Sequence, residues 1–152
     1  MDIAALPYVD EHTKIIAASV DDVWRVLLEI LEETFNRPTA ARYARIVRCD
    51  DRAVAGPRPL AAGSSMPGFR VVVAVPSSEL VLVGHHRFSS YALSFRLQPI
   101  GSDQSRVQVE TRAAFPRWSG RIYRLMIIGT GGHVVVVRRL LARVEARCEA
   151  AR

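Results

Sequence analysis

Residues 125–141 read LMIIGTGGHVVVVRRLL. One apolar run enters Gly129, Thr130, Gly131 and Gly132, and a second leaves them toward Arg138 and Arg139. Three readings fit: a glycine-rich phosphate loop, a membrane segment, or a core helix with a thin middle. A dinucleotide loop needs G-x-G-x-x-G after a strand, then a helix and a second parallel strand. Gly129 and Gly131 match its first two glycines, but the third position is Val134. The chain after Gly132 is too short for a crossover helix and a second strand, and Glu149 has the acid's offset but no strand to sit on. A P-loop needs Gly-Lys-Ser/Thr, and the only lysine is Lys14. A membrane span needs about 20 apolar residues. Leu125–Val137 offers 13, with three glycines and His133 among them. A core helix remains. Each interior glycine costs about 1 kcal/mol against alanine. Three together point either to close packing against a sheet or to missing side chains that leave volume for a ligand.

Outward from this stretch the period is helical. Trp118, Ile122, Leu125, Gly129, His133, Val136, Val137, Leu140 and Val144 fall on one stripe, which predicts one long C-terminal helix. Arg124, Arg138, Arg139 and Arg143 fall on the opposite face. Upstream, from residue 68, the period is two. FRVVVAV, ELVLVGHHRF, SSYALSFRLQPI and RVQVETRAAF are separated by PSS and GSDQS turns, which predicts half-buried antiparallel strands. At the N-terminus, residues 8–18 read as a strand and SVDDVWRVLLEILEETF as an amphipathic helix capped by Ser19. Residues 36–67 carry Pro38, Pro57, Pro59 and Pro67. They suggest a short helix near 39–45, then loops and a short strand, either an ordinary connection or a flap over a site. The order predicts an α+β fold in which one curved sheet grips one long helix.

The bulk numbers agree with one globular domain over 1–152. Apolar residues make up 49% and charged residues 24%, which excludes global disorder. The net charge of +6 comes almost wholly from arginines spread along the chain, with no run longer than two, a pattern expected of a solvated surface. No helix-turn-helix, stacking platform or dense basic stripe supports a nucleic-acid partner. Cys49 and Cys148 have no metal-finger or disulfide-scaffold spacing. The start, MDIAALPYVDEHTK, is acidic and lacks an apolar leader, so a cytoplasmic protein with reduced thiols and no stable membrane insertion is expected.

HTKIIAASVDDVWRVLLE, followed by antiparallel strands and a terminal amphipathic helix, resembles the START/Bet v 1-like (SRPBCC, polyketide cyclase-like) superfamily across nearly the whole chain. GHHRFSSYALSF with FPRWSGRIYRLMIIGTGGH is similar to a bacterial branch of it without an assigned function. The resemblance implies a helix-grip fold: about seven antiparallel strands around a long C-terminal helix, with two short helices after the first strand. It also implies a cavity between helix and sheet for an apolar or amphipathic small molecule. Members include carriers, sensors and polyketide cyclases or aromatases, and no catalytic residue is shared among them.

The residues then nominate a site. If Leu80 and Leu82 point inward, so do Gly84 and His86, while His85 and Arg87 point out. His133 shares the stripe of the terminal helix and could face His86, with Tyr91 nearby. Phe95, on the face of Leu93 and Leu97, is a candidate cavity wall, and Gly129 a candidate for the space beside the helix. His86, Tyr91, Phe95, Gly129 and His133 are therefore the expected ligand-binding residues. The plain alternative is hydrogen-bonded core or rim histidines. His86, His133 or Tyr91 could also serve as acid or base in a cyclase-like reaction. A two-histidine metal site lacks a third ligand nearby, so no metal or other cofactor is expected. Arg117, Arg121 and Arg124 are either solvated or guard the cavity entrance.

Overall fold

The alternating residues of 69–114 form four consecutive hairpin-connected strands. The structure, a computed structural model describing residues 1–152, runs β1 (Tyr8–Ile16), α1 (Val20–Phe35), α2 (Pro38–Ile46), β2 (Ser65–Met66), β3 (Phe69–Val75), β4 (Glu79–His86), β5 (Ser89–Pro99), β6 (Ser105–Ala114), α3 (Trp118–Ile127) and α4 (Gly132–Ala150). The strands pair antiparallel in one sheet, ordered β1-β6-β5-β4-β3-β2. This is the α+β helix-grip arrangement, with six strands where about seven were expected. Residues 36–67 contribute α2 and only the two-residue β2. Pro57, Pro59 and Pro67 withhold backbone donors there, and Gly56, Gly63 and Gly68 turn the chain with positive φ.

The first helix forms where the sequence places it. Ser19 Oγ accepts the Asp22 N–H at 3.2 Å, and Asp21 and Asp22 lie at the positive end of the dipole. Its inner face buries Val23, Val26, Leu27, Ile30 and Leu31. They join Leu80, Leu82, Phe95, Val107 and Val109 of the sheet and Val137, Leu140 and Val144 of α4 in one core. Each such side chain contributes about 1.5–3 kcal/mol by leaving water. On the outside, Glu33 clamps α1 to α4 through Arg143 at 2.9 Å and Arg147 at 2.7 Å. The Arg147 hydrogen bond is the main reason the Glu33 carboxyl lies below its ordinary range.

The predicted single terminal helix is two helices inclined by 50°. The first ladder ends with the Ile128 N–H on the Arg124 carbonyl at 2.8 Å, and the next begins with the Val135 N–H on the Gly131 carbonyl at 3.1 Å. Between them Gly131 adopts φ +74°, a left-handed conformation that side chains resist and that interrupts a helix. The expected inward stripe is therefore fully buried only from Val137 onward, with His133 partly buried one turn earlier. Trp118, Ile122 and Leu125 are exposed, as is Gly129 at the break.

Gly84 sets the other end of the fold. It pairs with Tyr91 across β4 and β5, and the Tyr91 ring lies over it. The Tyr91 hydroxyl donates to the Gly68 carbonyl at 2.5 Å, tying the start of β3 to β5. A Cβ on Gly84 would overlap both the ring and that carbonyl oxygen. Gly84→Ala is expected to destabilise the protein by about 1–3 kcal/mol in chemical denaturation, the usual cost of overpacking. A loss below measurement error would show that the ring is free to move aside.

Candidate functional site

A cavity of about 400 Å³ lies at the α2–α3 end of the sheet. Its walls come from the end of α1, from α2, from the Pro67–Phe69 turn, from inward residues of β4, β5 and β6, and from the α3–α4 junction. The cavity exists because α4 fills the sheet only from Val137 on, while α3 swings away. Its mouth lies on the α2 side, where the lining residues Thr39 and Tyr43 are exposed.

Rings floor the cavity. Phe69 meets Phe35 at 4.6 Å and Tyr91 edge-on at 5.3 Å between centroids. His86 lies 5.4 Å from Tyr91 and 4.9 Å, edge-on, from Tyr123. Tyr123 in turn stacks on Phe88 at 5.4 Å. Such tilted and edge-to-face pairs are the favoured aromatic geometries. The lining contains no Asp, Glu, Lys or Arg.

His86 is buried at the inner end of β4, alternating with the exposed His85 and Arg87 as the pleat requires. The Phe88 N–H donates to its Nδ1 at 3.1 Å, so the neutral ring carries its proton on Nε2. Burial, and secondarily the neighbouring His85, pushes its pKa down to about 4. No buried side-chain nitrogen or oxygen lacks a partner, and Nε2 has none within the protein, so it is accessible from the cavity. It is an uncommitted donor. Tyr91 lines the cavity too, but its hydroxyl proton is committed to Gly68, and burial raises its pKa. Tyr123 has a hydroxyl without a protein partner, its pKa pushed up to about 12 by burial.

His133, in the first turn of α4, lines the opposite side. Its Nε2 lies 3.0 Å from Thr111 Oγ1 and 3.3 Å from Asp10 Oδ1. Thr111 and Asp10 are cross-strand partners on β6 and β1. The other Asp10 oxygen meets His12 Nε2 at 3.2 Å. His86, Tyr91 and His133 thus share one cavity. Phe95 and Gly129 do not line it. Phe95 is fully buried between Leu80 and Val109, one step past Leu93, where α1 already covers the sheet. Gly129 is exposed at the helix break, with the Leu125 carbonyl against its backbone.

The sequence pattern nominated neither Tyr123 nor Asp10, which reaches His133 across 123 residues. The signal for Asp10 was present. In β1, Asp10, His12, Lys14 and Ile16 alternate with more exposed neighbours, which puts a polar ladder toward α4. Lys14 meets Glu145 of α4 at 2.6 Å on that ladder.

No family model matches the sequence, and no curated protein does. Solved structures do match in fold. The Zhui aromatase/cyclase from Streptomyces sp. R1128 superposes with a TM-score of 0.59 at 15% identity, over 92% of each chain. The di-domain aromatase/cyclase StfQ of the steffimycin biosynthetic pathway gives 0.62 at 13% identity, over 99% of this chain and 53% of that one. A norcoclaurine synthase point mutant from Thalictrum flavum, in complex with a transition-state analogue, gives 0.59 at 13% identity, over 93% and 94%. The chain has the helix-grip fold of the Bet v 1-like and polyketide cyclase-like proteins.

The His86 environment has a pH signature. Between its ordinary pKa of 6.5 and about 4, the unfolded chain binds a proton that the folded one excludes. Stability therefore falls as pH drops through that window. His86→Gln is expected to flatten this part of a plot of Tm against pH. An unchanged slope would assign the acid sensitivity to other groups.

Proposed function

We propose that the chain binds a small, uncharged, largely aromatic molecule in this cavity, with an acceptor oxygen directed at His86 Nε2. The observation that carries the reading is the uncharged wall, floored by rings and offering the free His86 Nε2–H to the cavity. A volume of about 400 Å³ suits a drug-sized ligand. A carboxylate or ammonium would lose its hydration there without a partner, at a cost of several kcal/mol. Arg117, Arg121 and Arg124 lie outside the lining and do not offset that cost. A polyketide-like or quinone-like carbonyl compound satisfies every wall: rings against rings, and an oxygen on the Nε2–H.

The test is titration of a fluorescent hydroxylated or keto polycyclic aromatic against the protein, together with native mass spectrometry of protein purified from its own host. Ala113 lines the cavity from β6, so Ala113→Phe should weaken binding at least about tenfold through lost volume. His86→Phe should weaken binding of the ketone more than that of the parent hydrocarbon, because only the ketone uses the donor. Equal affinity of both compounds for the unaltered protein would overturn the assignment of His86.

One observation favours a catalytic reading of the same site: Asp10 lies behind His133. A carboxylate accepting from Nε2–H leaves Nδ1 as a base held in a fixed tautomer. His86, with its low pKa, and Tyr91, with its committed proton, are poor bases by comparison. The Asp10–His133 pair would then remove a proton from carbon next to a ligand carbonyl, the first step of an aldol-type ring closure. Deuterium exchange at the central carbon of an aryl 1,3-diketone, above the buffer rate, measures this. Asp10→Asn should lower that rate by about 10–100-fold with affinity unchanged. A parallel loss of affinity and rate would leave the pair as a ligand-holding element only.

A further inference from the structure

Residues 34–49 and residues 111–144 contain no carboxylate. The fold brings them together. The first carries α2; the second carries α3 and the first half of α4. Tyr123 of α3 packs against the small cluster of Ala44, Val47 and Cys49 at the end of α2, and both helices border the cavity. This rim combines two features that are rarely left bare together. Trp118 is 80% exposed, Leu125 72% and Met126 60%, and with Ile122 they share one face of α3. Tyr43 and Ile46 are exposed on α2, and Val135 and Val136 on α4. Among these apolar groups stand Arg42, Arg45, Arg117, Arg121, Arg124 and Arg138, all exposed and none in an ion pair. Elsewhere Arg25, Arg58, Arg70, Arg143 and Arg147 each have a carboxylate, whereas Arg87 and Arg106 have none but belong to no such cluster of exposed arginines and apolar side chains.

We propose that the α2–α3–α4 rim docks reversibly on an anionic lipid bilayer. The occupant follows from the chemistry. Unpaired arginines attract acidic headgroups, their stems lie along apolar surface, and an exposed tryptophan sits at the headgroup level. A two-fold contact between copies would set these arginines against each other without a carboxylate to separate them. The contact is peripheral. α3 has 10 residues and is about 15 Å long, half the hydrocarbon thickness, and no single helix is long and apolar enough to cross a membrane. α3 lies instead in the interface plane with its apolar face down. The mouth between α2 and the α3–α4 junction then opens near lipid, so an apolar ligand enters without crossing water. That consequence rests on the ligand reading; the docking surface does not.

The experiment is co-sedimentation of the full chain with vesicles of phosphatidylcholine alone or with phosphatidylglycerol added, alongside Trp fluorescence. Binding is expected on the anionic vesicles, with a blue shift that Trp118→Phe removes while Trp24 remains, and with release as salt screens the headgroups. Arg121→Gln with Arg124→Gln should cut partitioning about thirtyfold, at roughly fivefold per arginine. Leu125→Ser with Met126→Ser should also reduce it; all four positions are exposed, so folding is not at stake. Absence of binding to the anionic vesicles, or equal binding to phosphatidylcholine alone, overturns the proposal. So does a dimer in sedimentation velocity that Leu125→Ser with Met126→Ser dissociates, which would give the rim to a second copy.

Discussion

Everything distinctive about this molecule depends on where the C-terminal segment stops packing. From Val137 onward, α4 presents Leu140, Leu141, Val144 and Cys148 to the sheet and to α1, and the core there is closed. Before Gly132 the chain does not continue along the same line, because Gly131 occupies a left-handed conformation and α3 leaves at 50°. Leu93 and Tyr91 of β5 border the cavity there, together with the α3–α4 junction. The bend leaves that part of the sheet uncovered by large side chains. The cavity is the geometric remainder, and the exposed face of α3 is its counterpart on the outside.

The character of the cavity follows from what the pleat delivers to its wall. β4 and β5 pair Gly84 with Tyr91, and the missing side chain lets the tyrosine ring lie flat across the strand. That ring, with Phe69 and Tyr123, surrounds His86. Burial among rings disfavours the imidazolium, and the Phe88 N–H occupies Nδ1, so the ring can only donate from Nε2. His85 on β4 and Arg87 in the following turn are both exposed, on either side of the buried His86. The result is a cavity wall without an Asp, Glu, Lys or Arg side chain. His133 is different, because Asp10 and Thr111 hold it from behind.

Charge is sorted between the two surfaces. Along the sequence the arginines look evenly scattered, as on any solvated exterior. In the fold, several of those near α1 and on the sheet find carboxylates, as in the Arg70–Asp51 contact at 2.5 Å. Those on α2 and α3 find none, because the segments that form the rim lack acidic residues and pack against each other.

By itself the sequence determined the α+β class, the Ser19 helix cap and the rejection of a phosphate loop, because these depend on local period and local backbone chemistry, and it left the direction of His86 conditional on that of Leu80 and Leu82. It also carried the resemblance to helix-grip proteins, through the HTKIIAASVDDVWRVLLE opening and the terminal amphipathic stretch. Only the tertiary structure decided that the terminal helix breaks, that Phe95 belongs to the packed core, that Gly129 faces outward, and that Asp10 reaches His133. Hydrophobic period cannot register a bend of one turn, since both halves keep the same stripe and only the path between them changes. Nor can it distinguish a ring under α1 from one beside a void, since both are apolar residues on the same face. Contacts between β1 and α4 are settled by sheet register and helix placement together, and those are properties of the whole chain at once.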